Sequence, residues 1–232
     1  MNKLLKEAVE DDLADVVAGL AAQNPRWVNT PDRDGMTALL LAVTTHNRSV
    51  GCIRALLEAG ADVNVTRGSF SVLQWAMAEL GHWHNPMCAG PDEVFPLLVE
   101  AGAPLESVDQ YGFTPLMTAI IEHRLRDVRA LLDVGADPNK VVPPGGRTAF
   151  NLGQNLLALA WFNHDPVVVI EMLLEAGADA TLRDAFGRTA REYFEAIDIE
   201  EYLKYENLQS YGEIRLQCSE RLRLAEDIAQ TR

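Results

Sequence analysis

The segment GFTPLMTA (112–119), followed by VRALLDVGAD (128–137), holds one complete unit of a pattern that runs through most of the chain. Thr114 offers a side-chain oxygen to the exposed N–H groups of a helix start, and Pro115 falls at the first helical position, where its missing N–H costs nothing. The second phrase reads as the end of a longer helix. In its equivalent at 53–62, IRALLEAGAD, Ile53, Leu56 and Leu57 fall at i, i+3 and i+4 and make one apolar stripe. Glycine then stops the helix, because without a Cβ Gly60 can take the left-handed conformation that closes a carboxyl end.

The closing phrase recurs as IRALLEAGAD, FPLLVEAGAP (95–104), VRALLDVGAD and IEMLLEAGAD (170–179). Its glycines, Gly60, Gly102, Gly135 and Gly177, are separated by 42, 33 and 42 residues, so a unit of 33 stands once bare and twice with 9 residues added. That period points to an array of stacked units. The opening phrase recurs in register as GMTALLLA (35–42), SFSVLQWA (69–76) and GFTPLMTA, with a degenerate GRTAREYF (187–194), so Thr37 and Ser71 join Thr114 as helix caps. Each unit is turn, short helix, turn, longer helix.

Composition agrees with a folded chain: 48% hydrophobic and 23% charged residues, far from the signature of disorder. The formal charge of −14 repels phosphate backbones and anionic membrane surfaces, which argues against nucleic-acid or membrane partners and favours encounter with a basic protein. Cys52, Cys88 and Cys218 are too few and too scattered for a disulfide framework, no stretch reaches about 20 uninterrupted apolar residues, and the opening MNKLLKEAVEDDLADVV is too acidic for a signal core. A cytoplasmic protein is expected.

With TPLMTA (114–119) and the four glycine phrases the chain resembles the ankyrin-repeat family. The resemblance implies an all-α solenoid of about six stacked helix-turn-helix units in a single domain over 1–232. Its parts are an amino-terminal capping repeat (1–29), internal repeats (30–64, 65–106, 107–139, 140–181), a partial last repeat (182–197) and carboxyl-terminal capping helices (198–232). In the last of these Ile214, Cys218, Leu222, Ala225 and Ile228 are spaced to cover the final repeat, with Tyr202, Leu203 and Tyr205 assigned to the same cap. No unit carries the histidine the family places after its Leu; Leu40, Gln74 and Met117 stand there, so the hydrogen bond of that histidine is expected to be missing.

The resemblance also implies a non-catalytic protein-binding module that contacts its partner through turn fingers and first helices. Carried over by position, the partner-binding residues are Arg33, Asp34, Met36, Arg67, Phe70, Gln110, Tyr111, Phe113, Phe186 and Arg188 on the fingers, with Glu122, Phe162 and Asn163, beside Thr44 and Glu79, on first helices. Aromatic and arginine side chains dominate the set, as they do at interfaces.

Two insertions break the period. GHWHNPMCAGP (81–91) groups His82, Trp83, His84 and Cys88, a weak metal pattern without a fourth ligand; Trp83 is assigned to packing or to the partner surface instead. DPNKVVPPGGRTAFNLGQ (137–154) lacks the G-K-[ST] ending of a nucleotide loop and reads as an extended finger. Asp32 and Asp34 in DRDG serve a turn, hydrogen-bonding backbone, and none of the five histidines completes a catalytic constellation, so no catalytic residue, metal or cofactor is assigned. The expected function is partner binding, in its narrow form an inhibitor or immunity protein against a basic toxin or enzyme. The alternatives are a scaffold bridging two proteins and a metal-dependent regulator using the 81–91 loop. Oligomeric state stays open, with a monomer the simplest expectation.

Overall fold

The computed structural model describes residues 1–44, 49–77, 94–141, 155–196 and 208–231. They fall into two compact units, Met1–Gln110 and Tyr111–Arg232. The all-α class holds: among the described residues the only strands are the two-residue pair β1 (Thr66–Arg67) and β2 (Phe70–Ser71), antiparallel with Arg67 opposite Phe70.

In unit 1 the helices are α1 (Lys3–Glu10), α2 (Ala14–Gln23), α3 (Arg26–Asn29), α4 (Ala38–Thr44), α5 (Val50–Glu58), α6 (Val72–Met77) and α7 (Val94–Glu100). First helices pack on first helices (α1 on α4, α4 on α6) and second on second (α2 on α5, α5 on α7). Leu5, Leu39, Leu40, Ile53, Leu56, Leu73 and Leu98 are wholly buried between them. In unit 2, α8 (Pro115–Ile121), α9 (Leu125–Asp133), α10 (Leu156–Leu159) with a 3-10 turn (Ala160–Phe162), α11 (Pro166–Glu175) and α12 (Ala190–Ala196) repeat the scheme. There α10 lies between α8 and α12, and α11 lies on α9.

The caps expected at Thr37, Ser71 and Thr114 are present, their hydroxyls accepting from the N–H groups of Leu40 (3.3 Å), Gln74 (3.4 Å) and Met117 (3.3 Å). Two more complete the series: Asn155 accepts from the Ala158 N–H at 2.9 Å and Thr189 from the Glu192 N–H at 3.3 Å. No histidine stands at the family's position, yet Gln74, Met117 and, in the last unit, Glu192 accept a backbone bond there, while Leu40 offers no acceptor. Gln74 Oε1 accepts from the Ser71 N–H at 2.9 Å, Glu192 Oε2 from the Thr189 N–H at 2.9 Å, and Met117 Sδ from the Thr114 N–H at 3.5 Å. Each reaches back to the cap's own backbone and closes a reciprocal capping pair.

The glycines of the repeated phrase stand at φ +82° to +94°, the left-handed helix closure that a Cβ disfavours. Asparagine bridges two of these phrases to the preceding repeat. Asn29 donates to the Gly60 carbonyl (2.9 Å) and accepts from the Asp62 N–H (2.8 Å); Asn139 does the same with Gly177 (3.2 Å) and Asp179 (2.7 Å).

Unit 2 ends in α13 (Leu208–Gln230), packed on α11 and α12. Cys218 and Leu222 are fully buried, as their spacing implies, and burial pushes the Cys218 thiol up to about 12. Ile228 is not part of this seam and stands exposed; the buried residue of that turn is Glu226, whose Oε2 accepts from Arg191 Nε at 2.7 Å and ties α13 to α12. Ile228 stands two residues past Glu226, on a different side of the helix from Leu222. Tyr202, Leu203 and Tyr205 lie outside the described residues.

Leu222→Ala is expected to cost about 2–5 kcal/mol of stability in urea unfolding, whereas Leu224→Ala, at a side chain 55% exposed on the same helix, stays within about 0.5 kcal/mol.

Candidate functional site

The fingers are built by aspartate. In unit 1, Asp32 Oδ1 accepts from the N–H groups of Asp34 and Met36, both at 2.9 Å, while the Asp32 N–H donates to the Met36 carbonyl at 2.9 Å. In unit 2, Asp184 Oδ1 accepts from Phe186 (2.9 Å) and Arg188 (2.8 Å), and its N–H donates to the Arg188 carbonyl at 2.8 Å. The same D-x-x-G-x loop is thus closed twice by one carboxylate, which leaves Arg33 and Asp34 on one tip and Phe186 on the other facing outward and exposed. The Asp32 carboxylate is engaged by its own turn, as the sequence implied. The Met36 N–H leads the influences that hold its carboxyl below the usual 3.8, with the Asp34 N–H, Lys6 and the amino terminus adding to it against a modest burial effect.

Arginines lie on rings beside these loops. In unit 1, Arg67 Nε donates to the Asp34 carbonyl of the preceding finger at 3.1 Å, and its guanidinium lies over the Trp75 ring, 5.0 Å from the centroid. Trp75 Nε1 returns a bond to the Arg67 carbonyl at 3.2 Å, and Phe70 meets Trp75 edge-on at 6.2 Å. In unit 2, Arg188 lies over both Phe186 (5.1 Å) and Tyr193 (5.3 Å) and donates twice to Asp184 Oδ2, from Nε at 3.2 Å and Nη2 at 3.1 Å. An arginine face on an aromatic ring is worth about 0.5–1 kcal/mol at exposed sites, so the doubled stack and the carboxylate together fix the side chain's direction.

Trp75 and Tyr193 were not assigned to the surface from sequence. Both lie four residues after a cap, Ser71 and Thr189, so the register of the capping residue carries the signal that finds them.

The remaining assigned residues divide by environment. Met36, Arg67, Phe70, Tyr111, Phe162 and Arg188 are half-buried; Arg33, Asp34, Gln110, Glu122 and Phe186 are exposed, Phe186 at 54%. Phe113 is drawn inside, 7% exposed, with its ring 6.4 Å from that of Tyr111, so it supports the finger from beneath. Asn163 is buried as well and donates to the Ile120 carbonyl at 2.8 Å. Thr44 turns back into α4, its hydroxyl donating to the carbonyls of Leu40 (2.9 Å) and Leu41 (3.1 Å). Trp83, Glu79, the His82, His84 and Cys88 group and the 143–147 finger lie outside the described residues.

Comparison with known proteins gives one family. Models described as ankyrin repeat match residues 34–67 and 111–140. A protein of Treponema pallidum, described as ankyrin repeat-containing, is 31% identical over 153 residues, 65% of this chain and 45% of its own length. The chain spans less than half the length of the first curated relatives it matches. Among solved structures, an ankyrin repeat domain from Acinetobacter baumannii superposes with a TM-score of 0.67 at 23% identity, covering 95% of this chain and 96% of that one. A chain in the complex of the predatory endopeptidase Bd0816 of Bdellovibrio bacteriovorus with immunity protein Bd3460 superposes with a TM-score of 0.58 at 22% identity, covering 96% and 98%. These likenesses show the all-α ankyrin solenoid fold.

Two outcomes check the finger chemistry. Asp184→Ala, which unmakes every bond to a side chain 1% exposed, is expected to cost about 2–3 kcal/mol in denaturant unfolding. Asp32 is expected to titrate below 3.8 by carboxyl NMR; its contribution to stability is present above that value and lost as pH falls through the lowered one.

Proposed function

We propose that this chain, a member of the ankyrin-repeat family, blocks a basic protein, an enzyme or toxin, by holding it against the fingers and first helices of its units. Ankyrin repeats are protein-interaction modules, and none of the described helices is long and apolar enough to cross a membrane. The observation that carries the reading is the outward Phe186, held over the Arg188 guanidinium on a loop fixed by Asp184. A large apolar ring kept at a fingertip loses little freedom on capture, which is what makes a pre-organised anchor effective. Tyr111 in the same unit and the Arg67, Phe70 and Trp75 cluster of unit 1 extend the same chemistry.

The charge of −14 supports a basic partner, since it speeds encounter with a cationic surface. The antagonist role draws on the Bdellovibrio structure, a complex of an endopeptidase with an immunity protein in which one chain shares this fold class. It is an analogy of fold. A reducing compartment suits the free thiols Cys52 and Cys218. The adaptor reading, with a second protein on α13, draws on Leu216, Leu224 and Ile228 standing exposed there.

Tyr111→Ala combined with Phe186→Ala is expected to leave the helical circular-dichroism signal intact and to weaken capture of the native partner by about tenfold or more. Unchanged capture would remove the fingers from the interface. Affinity capture from the native cell with mass spectrometry is expected to return a basic protein whose activity the chain suppresses; a captured protein that is acidic, or unaffected in activity, contradicts the antagonist role.

A further inference from the structure

Two of the five histidines meet in unit 2. The rings of His123 and His164 stack face to face, centroids 3.7 Å apart and planes within 13°. His123 occupies the corner between α8 and α9 in the left-handed region, at φ +62°, and His164 occupies the corner between the 3-10 turn and α11. Both lie at the opposite end of the first helices from the fingers.

The Asn163 side chain ties these corners to each other beside the rings. Asn163, next to His164, donates from Nδ2 to the Ile120 carbonyl of α8 at 2.8 Å and accepts at Oδ1 from the Asp165 N–H at 3.0 Å. The N–H of His123 itself donates to the Ile120 carbonyl at 3.3 Å, and that of Arg124 to Ala119 at 2.9 Å. One carbonyl, that of Ile120, therefore receives a bond from each corner.

Neutral imidazoles stack as ordinary aromatic rings. Two imidazolium ions at that separation repel. On the α8–α9 corner, Glu122 and Asp127 both accept from Arg124, at 3.1 and 3.2 Å. Arg124 offsets one of these two carboxylates. On the other corner, Asp165 is exposed and follows His164 in the chain. Both histidines are exposed residues; partial burial first, and the charge on His164 second, hold the His123 imidazole below its ordinary 6.5.

We propose that the His123–His164 stack is an acid-sensitive latch, closing the corner between successive helix pairs of unit 2 while the rings are neutral and parting when they take up protons. The unfolded chain binds the proton more readily than the latched corner does. The contribution to stability is therefore complete above the ordinary histidine value of 6.5 and is lost as pH falls through the lowered value of His123. The latch rests on the geometry of unit 2 alone and stands whether or not the fingers hold a partner.

The test uses the full chain. Imidazole NMR titration of wild type and His164→Gln is expected to place His123 below 6.5 in wild type and closer to 6.5 in the variant. Urea unfolding at neutral pH and again near pH 5, within the range where histidine charge changes, is expected to show the unfolding equilibrium constant rising several-fold more in wild type than in His164→Phe, which keeps a stacked ring without its proton. Should His164→Phe fail to fold, His123→Asn, whose side chain tolerates the left-handed corner, is compared in its place. His123 titrating at 6.5 in wild type, or equal acid sensitivity in wild type and the folded variant, overturns the latch.

Discussion

A helix of two turns cannot start itself in water, and everything else here depends on the side-chain oxygen that starts it. The first helices of these units run from four to seven residues, far below the length at which an isolated helix persists. At each start a side chain of the residue before the helix, Thr37, Ser71, Thr114, Asn155 or Thr189, takes the N–H three residues on. Gln74, Met117 and Glu192 return the bond to the cap's own backbone. The cap fixes two things at once: which side chains of the helix turn into the stack, and where the preceding finger leaves it.

From that anchor the fingers inherit their stiffness. Asp32 and Asp184 close loops whose far ends are the caps Thr37 and Thr189, so a tip residue such as Phe186 is tied to a buried helix start through only a few peptide units. Asn29 and Asn139 add a second tie, from one unit to the glycine phrase of the next. A surface built this way presents aromatic and arginine groups with most of their ordering already done, which is the condition under which few contacts give useful affinity. In the proposed function the acidic balance of the chain would supply the long-range half of recognition, and the fingers the short-range half.

Much of the fold was legible in residues 112–137 because period, cap and glycine repeat together, and each has a single structural meaning. What the period hid was chemistry that only a neighbour completes. Asn155 as a cap is obscured by the insertion before it, which displaces its unit from register. Gln74, Met117 and Glu192 look unlike the family's histidine yet carry acceptors that reach the cap's own N–H. Phe113 shares its finger with Tyr111 but packs under it, a difference of facing that sequence position does not specify. Arg67 and Arg188 are recognisable as interface-type residues, whereas their stacking on Trp75 and Tyr193 follows from a four-residue offset visible only once the cap is located. Glu226 continues the i, i+4, i+8 seam of Cys218 and Leu222 and pairs with Arg191, whereas Ile228 falls off that seam.

The most direct measurement of the central claim, that rigid fingers form the gripping surface, is amide hydrogen exchange of the chain alone and bound to its captured partner. The expected result is slow exchange at the finger amides of 34–36 and 186–188 before binding, reflecting their bonds to Asp32 and Asp184, and further protection at the fingers on binding. Fast exchange at those amides in the free chain, or new protection confined to the second helices and α13, would contradict it.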